Sequence, residues 1–187
     1  KVAPYVDIIE LGTPLIKSEG LSVITAMKDA FPDKLVFADF KTADAGELEA
    51  DMAFKAGADY VTILGSTGDS TIAGAVKAAK AHGKAVVVDT IGVQDRVKRA
   101  QEVIKLGVAF VELHAGLDEQ AEPGYSIQVL IDEATRAGVP VSIAGGVNLD
   151  SIKAVKESGV VVAVAGGAIY GAEDPAAAAK ALKEALN

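Results

Sequence analysis

Ala56-Gly57-Ala58-Asp59-Tyr60-Val61 reads as the end of a helix, a glycine turn and the start of a strand. The same pattern recurs along the chain as His82-Gly83-Lys84-Ala85-Val86, Leu106-Gly107-Val108-Ala109-Phe110, Ala137-Gly138-Val139-Pro140-Val141 and Ser158-Gly159-Val160-Val161. Glycine just past a helix takes the left-handed conformation without a Cβ penalty, so each is a helix stop. Successive glycines lie 26, 24, 31 and 21 residues apart (57, 83, 107, 138, 159), about the length of one strand, one helix and two loops.

Strands are predicted at Val6–Leu11, Leu35–Phe40, Tyr60–Leu64, Ala85–Asp89, Phe110–His114, Val141–Ala144 and Val161–Ala165. Helices fill the intervals, for instance Ala45–Ala56, whose Leu48, Met52 and Ala56 fall on one stripe. Seven regular βα steps point to a parallel (β/α)8 barrel of the TIM type, in which eight units close the ring. The first βα unit is then missing: a strand and the start of its helix are expected ahead of Lys1. An open doubly wound sheet is the alternative. No linker or low-complexity tract interrupts the pattern, so residues 1–187 are expected to form a single barrel domain.

Half of the 187 residues are hydrophobic, with few aromatics and many Ala, Val and Gly, as in closely packed α/β proteins. A net charge of −8 argues against a nucleic-acid partner. A phosphorylated small molecule remains compatible, because backbone N–H groups can hold phosphate. Cysteine is absent, which rules out disulfides and thiolate metal sites and fits a reducing, cytoplasmic compartment. The longest apolar run, Val160–Ala172, is glycine-interrupted and too short to span a membrane. The start, Lys1-Val2-Ala3-Pro4, has neither a signal-peptide pattern nor an initiating Met.

In parallel α/β folds chemistry gathers at the C-terminal ends of strands. Those ends are polar here: Glu10, then Asp39 and Lys41, then Asp89, then Glu112 and His114. Asp39 and Lys41 share a strand face by alternation, and Asp44 falls on the following loop. Each residue has a plainer reading. Asp39 and Lys41 could be a structural ion pair, Asp89 a helix N-cap before Thr90, Glu112 a satisfied interior group, His114 a partner for a loop carbonyl. Their convergence on one rim favours a catalytic site. His82, beside a glycine stop, reads as a surface residue. The last two strands end in Gly145-Gly146 and Gly166-Gly167, where exposed N–H groups are candidates to hold phosphate; two tight turns are the alternative. With no Cys and two His, a transition-metal cage is not expected, whereas the carboxylates Glu10 and Asp39 suit Mg2+.

These residues also carry a resemblance. Asp39–Asp44, DFKTAD, matches the D-x-K-x-x-D motif of the orotidine monophosphate decarboxylase suprafamily. DIIELGTPLI (Asp7–Ile16), VVVDTIG (Val86–Gly92), VELHAGLDEQA (Val111–Ala121), AGGV (Ala144–Val147) and AVAGGAIYGAEDP (Ala163–Pro175) narrow it. Together they resemble the 3-hexulose-6-phosphate synthases across essentially the whole chain. The resemblance implies a Mg2+-dependent homodimeric barrel, with active sites at the dimer interface, acting in the ribulose monophosphate pathway. It implies the aldol addition of formaldehyde to the sugar phosphate D-ribulose 5-phosphate, giving D-arabino-3-hexulose 6-phosphate through an enediolate. On that basis Glu10 and Asp39 are expected to hold Mg2+ as a Lewis acid, and Lys41 to add positive charge. Asp44 would orient Lys41 or substrate hydroxyls across the interface, and His114 would move the proton, with Asp89 positioning it or sharing the role. Gly145, Gly146, Gly166 and Gly167 would hold the phosphate. The related 3-keto-L-gulonate-6-phosphate decarboxylases carry an H-x-x-R-D pattern; here Leu117 stands at the Arg position, which favours the synthases. The family's first strand carries an Asp that lines the site, and this chain has no counterpart to it. That decarboxylation, or a truncated sugar-phosphate-binding barrel without activity, are the alternative readings.

Overall fold

A computed structural model of the chain describes residues 1–186. In chain order it contains β1 (Ile8–Leu11), α1 (Thr13–Glu19), α2 (Ser22–Ala30), β2 (Leu35–Thr42), α3 (Gly46–Lys55), β3 (Tyr60–Leu64) and α4 (Asp69–His82). There follow β4 (Ala85–Asp89), α5 (Arg96–Val103), β5 (Phe110–His114), α6 (Leu117–Ala121), α7 (Gln128–Ala137) and β6 (Val141–Ala144). The chain closes with α8 (Ile152–Glu157), β7 (Val162–Val164), α9 (Gly167–Tyr170) and α10 (Pro175–Leu186). The strands form one parallel sheet in sequence order, β1 to β7, with β1 and β7 as its edges. This is the curled sheet of a (β/α)8 barrel lacking one unit, as the glycine repeat predicts. Gly83 and Gly138 cap α4 and α7 in the left-handed conformation.

The first and last strands are shorter than expected, and β2 runs on through Lys41 and Thr42. It does so with an irregularity between Ala38 and Thr42, and Lys41 takes a positive φ of 49°. A side chain in that region is strained by Cβ contacts.

Alternation sorts each strand into two faces. Val36, Ala38, Val61, Ile63, Val86, Val88, Val111, Leu113, Val141 and Ile143 join the helices in one large core. Toward the barrel interior, Phe37, Val87 and Phe110 form a smaller cluster with Ile8, Tyr60 and Val162. The rings of Phe37 and Tyr60 lie 6.0 Å apart, and those of Tyr60 and Phe110 5.7 Å. This aromatic plug fills the interior at the N-terminal ends of the strands, so the polar residues of the same face crowd toward the other end.

Helix α3 turns its small residues inward. Its buried residues are Gly46, Ala50, Ala53 and Phe54, while Leu48 is 62% and Met52 41% exposed. Small residues let α3 approach α4 closely, and the large apolar side chains are left facing outward. His82 is likewise not a free surface residue: it is half-buried, its Nε2 2.8 Å from Asp51 Oδ1, and its ring packs on Phe54. Among the described residues no helix is long and apolar enough to cross a membrane.

Candidate active site

Strand alternation and register build the site. Phe37, Asp39 and Lys41 of β2 share the interior face with Tyr60 and Thr62 of β3, Val87 and Asp89 of β4, and Phe110, Glu112 and His114 of β5. Asp89 stands directly opposite Glu112, and Glu112 opposite Ser142.

Lys41 is the centre. Its Nζ lies 2.8 and 2.7 Å from the two carboxylate oxygens of Asp39 and 2.8 Å from Asp89 Oδ2. Thr13 and Thr62 each donate a hydroxyl hydrogen bond of 2.8 Å to Asp39, and Thr62 also accepts the Lys41 backbone N–H at 2.9 Å. That last bond helps hold the strained backbone of Lys41. Burial works against the Lys41 charge, but Asp89 and Asp39 outweigh it and push the ammonium pKa upward. Lys41 is therefore a fixed cation and not a proton donor near neutrality.

Asp89 is fully buried. Burial alone would raise its pKa, yet His114 and Lys41 overcome that and hold it below the usual carboxylate range. Its Oδ2 lies 2.9 Å from His114 Nδ1, and its Oδ1 accepts the Ile91 N–H at 2.7 Å. Asp89 does not cap a helix; α5 begins later, with Asp95 accepting the Lys98 N–H. An ionised Asp89 is an acceptor, so His114 Nδ1 donates to it, and in the neutral ring that tautomer leaves Nε2 as the acceptor.

Glu112 is 1% exposed, and its Oε1 has no partner among the described residues. Its Oε2 lies 3.7 Å from His114 Nδ1. Burial, then the charges of Asp89, Glu10 and Asp39, push its pKa well above the usual range. The sequence places Glu112 on this rim but assigns it no part; its alternation with His114 is the signal that marks it. Thr13 and Thr62 carry no sequence signal for their contacts to Asp39, because only the tertiary packing of α1 and β3 creates them.

Glu10 lies on the edge strand β1, exposed on its open side and crowded by protein on the other. Crowding, followed by the negative charge of Asp39, raises its pKa to about 7. Asp89 pushes the same way, while Lys41 and His114 pull it down without winning. Glu10, Asp39, Asp89 and Glu112 thus share one region with a single ammonium and one imidazole. Such an excess of oxygen donors, one of them buried without a partner, fits a hard divalent cation. Donor atoms of Asp89, Glu112 and His114 also lie within 4.8 Å of one another, close enough to grip a metal ion.

Asp44 stands apart. It is exposed and accepts the backbone N–H of Ala45 at 2.7 Å, with no contact to Lys41. Gly145 and Gly146 end β6 with φ of 115° and 82°, conformations that suit glycine. A Cβ at Gly145 would lie 2.5 Å from the Ala115 carbonyl oxygen, so the turn depends on its absence. Gly166 and Gly167 open the short α9 beside β7. All four are half-buried or exposed, at the same sheet end as the charged cluster.

A parallel α/β barrel with a lysine clamped between two carboxylates at the strand ends defines a class of small-molecule enzymes built for anionic chemistry. The chain belongs to the orotidine 5'-phosphate decarboxylase / HUMPS family, whose match covers residues 1–182. It is 69% identical to the 3-hexulose-6-phosphate synthase of Mycobacterium gastri, over all of this chain and 90% of that protein. A crystal structure of a 3-hexulose-6-phosphate synthase, also 69% identical, superposes with a TM-score of 0.98 over 100% of this chain and 90% of the other. A crystal structure of KGPDC from Streptococcus mutans is more distant, at 28% identity and a TM-score of 0.92, covering 99% of this chain and 87% of the other.

Proposed function

We propose that the chain is an aldolase, a 3-hexulose-6-phosphate synthase that condenses D-ribulose 5-phosphate with formaldehyde to D-arabino-3-hexulose 6-phosphate. The observation that carries the reading is the Lys41 ammonium held between Asp39 and Asp89 beside His114. Full-length identity of 69% to a protein of that name supports it.

The substrate's C1 hydrogen lies next to the C2 ketone and is acidified by it. His114 Nε2 takes that proton, while Asp89 fixes the ring through Nδ1. Negative charge then spreads over C1 and the C2 oxygen. Lys41 meets that charge with a preorganised cation that needs no rearrangement. The C1–C2 electron pair attacks the formaldehyde carbon, and the resulting alkoxide takes the proton back from His114. One C–C bond forms, and the proton lost from C1 ends on the new hydroxyl.

Glu10 and Asp39 would hold Mg2+ as the reaction's metal. When bound, it supplies further Lewis-acid stabilisation of negative charge. The N–H groups of Gly145, Gly146, Gly166 and Gly167 hold the substrate phosphate. Asp44, exposed on its loop, serves the site of a second copy in a homodimer. The exposed Leu48 and Met52 support that assembly, because they line a cavity of about 360 Å3 that reaches Asp39. The reading places the enzyme in the cytoplasm as one catalytic barrel domain.

Assay on two substrates tests the reaction. Formaldehyde consumption with ribulose 5-phosphate should far exceed CO2 release from 3-keto-L-gulonate 6-phosphate. The reverse order would hand the site to the decarboxylase reading, which the Streptococcus mutans KGPDC likeness keeps in view.

A further inference from the structure

Between the ends of β5 and β6 runs a segment that the chemistry above leaves unused. From Gly116 to Gly124 no residue is fully buried, and Leu117, three residues after His114, is 75% exposed. The five-residue α6 lies within it. Few polar contacts hold this strap. Gln120 Nε2 donates to the Ala115 carbonyl at 2.8 Å, and Tyr125 OH donates to the Gly145 carbonyl at 2.9 Å. The third contact is an ion pair between Glu119 and Arg96. Beyond Gly124, Tyr125 and Ile127 pack against the large core, so the stretch that opens at low free-energy cost is the one ahead of them.

Arg96 is the unusual member. It starts α5, is nearly buried, and faces two carboxylates on different elements: Glu119 of the strap and Glu133 of α7. The Glu133 contact is long, at 3.5 Å. Arg96 Nε and Glu133 Oε2 are buried without a partner among the described residues. Such atoms are costly to leave unpaired. The arginine thus has a good bond to a light, exposed element and an incomplete one to a packed helix. Turning toward Glu133 would complete the second bond and release the first. The base of the strap is tight: a Cβ on Gly116 would stand 2.8 Å from Ile91 Cδ1 in the loop after β4. Its far end has Gly124 at φ 88°.

We propose that Gly116–Gly124 is a movable cover over the site, and that Arg96 is a positioning residue that clasps it through Glu119, with Glu133 as the partner it takes when the cover lifts. This rests on the aldolase reading for what the cover does there: it keeps water from the carbanionic intermediate until formaldehyde adds. Leu117 is the apolar side chain that closure carries over the mouth.

Glu119→Gln and Glu133→Gln in the full chain test it, with two readouts. One is amide hydrogen exchange of residues 116–124. The other is the ratio of formaldehyde-independent C1-proton exchange to aldol turnover. Glu119→Gln should speed amide exchange there by roughly tenfold and raise the ratio severalfold. Glu133→Gln should do neither, since it strengthens the clasp. No change in either readout for Glu119→Gln, or the same change for both variants, overturns the proposal. If the unsubstituted protein neither exchanges the C1 proton nor consumes formaldehyde, the aldolase reading fails, while the amide-exchange comparison still decides the clasp.

Discussion

Glu10 and Asp39 show how differently two carboxylates of one cluster can be housed. Asp39 is buried and receives hydrogen bonds from Lys41, Thr13 and Thr62. Glu10 has no such donors, and crowding beside Asp39 lifts its pKa to about 7. A raised value means that the folded chain favours the protonated form. Its contribution to stability is full below the ordinary carboxylate pKa and is lost as pH rises through about 7. A metal ion must displace that proton. Mg2+ affinity should therefore rise roughly tenfold between about pH 6 and about pH 8, measured by titration calorimetry. Affinity that does not change with pH would remove Glu10 from the metal seat. The placement of Glu10, Asp39, Asp89 and His114 on one rim was legible from strand alternation alone. The positive φ of Lys41 was not, because a non-glycine residue gives no local sign of it. The partnerless Glu112 was equally hidden, since satisfaction of a buried group depends on neighbours from other strands.

Among the elements, Asp59 ties the sheet together at the end away from the site. It accepts the Val36 N–H at 2.9 Å and pairs with Lys28 and with Lys84, so one carboxylate joins α2, β2, β3 and the turn into β4. Burial opposes its charge, but Lys84, Val36 and Lys28 outweigh it and lower the pKa. This stability is present above the ordinary Asp pKa and is lost as pH falls through that value toward the folded one. Asp59→Ala should cost about 1–3 kcal/mol in urea unfolding, because it strands a backbone N–H and two ammonium groups. It should leave the KM for ribulose 5-phosphate unchanged. A loss below about 0.5 kcal/mol would show that the cluster is only a solvated charge patch. Glycine stops placed the strands well because that device is local. The stripe of Leu48 and Met52 marked α3 as a helix, but apolar periodicity alone does not say which stripe faces inward: Ala50 and Ala53 win the interior by being small enough for close approach to α4.

In the molecule as a whole, the sheet has two edges, and the site lies along its rim with Glu10 at one of them. The outward face of Leu48 and Met52 lies against that rim, beside the strained loop that carries Asp44. A homodimer would bury this face and bring Asp44 to the other copy's site. Leu48→Asp should shift the protein toward monomer in sedimentation and lower aldol turnover in step. Monomers with full turnover would contradict the shared site. Barrel architecture was legible from the repeat, since each βα unit repeats its own punctuation. In the sequence a homodimer rests on the family resemblance alone, since the chain's own core leaves no periodic trace of a partner surface.

Everything proposed for the site turns on Lys41, clamped by Asp39 and Asp89, stabilising the anion of an aldol addition. The decisive assay is formaldehyde consumption dependent on ribulose 5-phosphate, with Mg2+ present, in the unsubstituted chain and in Lys41→Ala. Turnover is expected in the first and a fall of at least about a hundredfold in the second, with the fold retained by circular dichroism. Near-equal rates in the two proteins would contradict that role for Lys41.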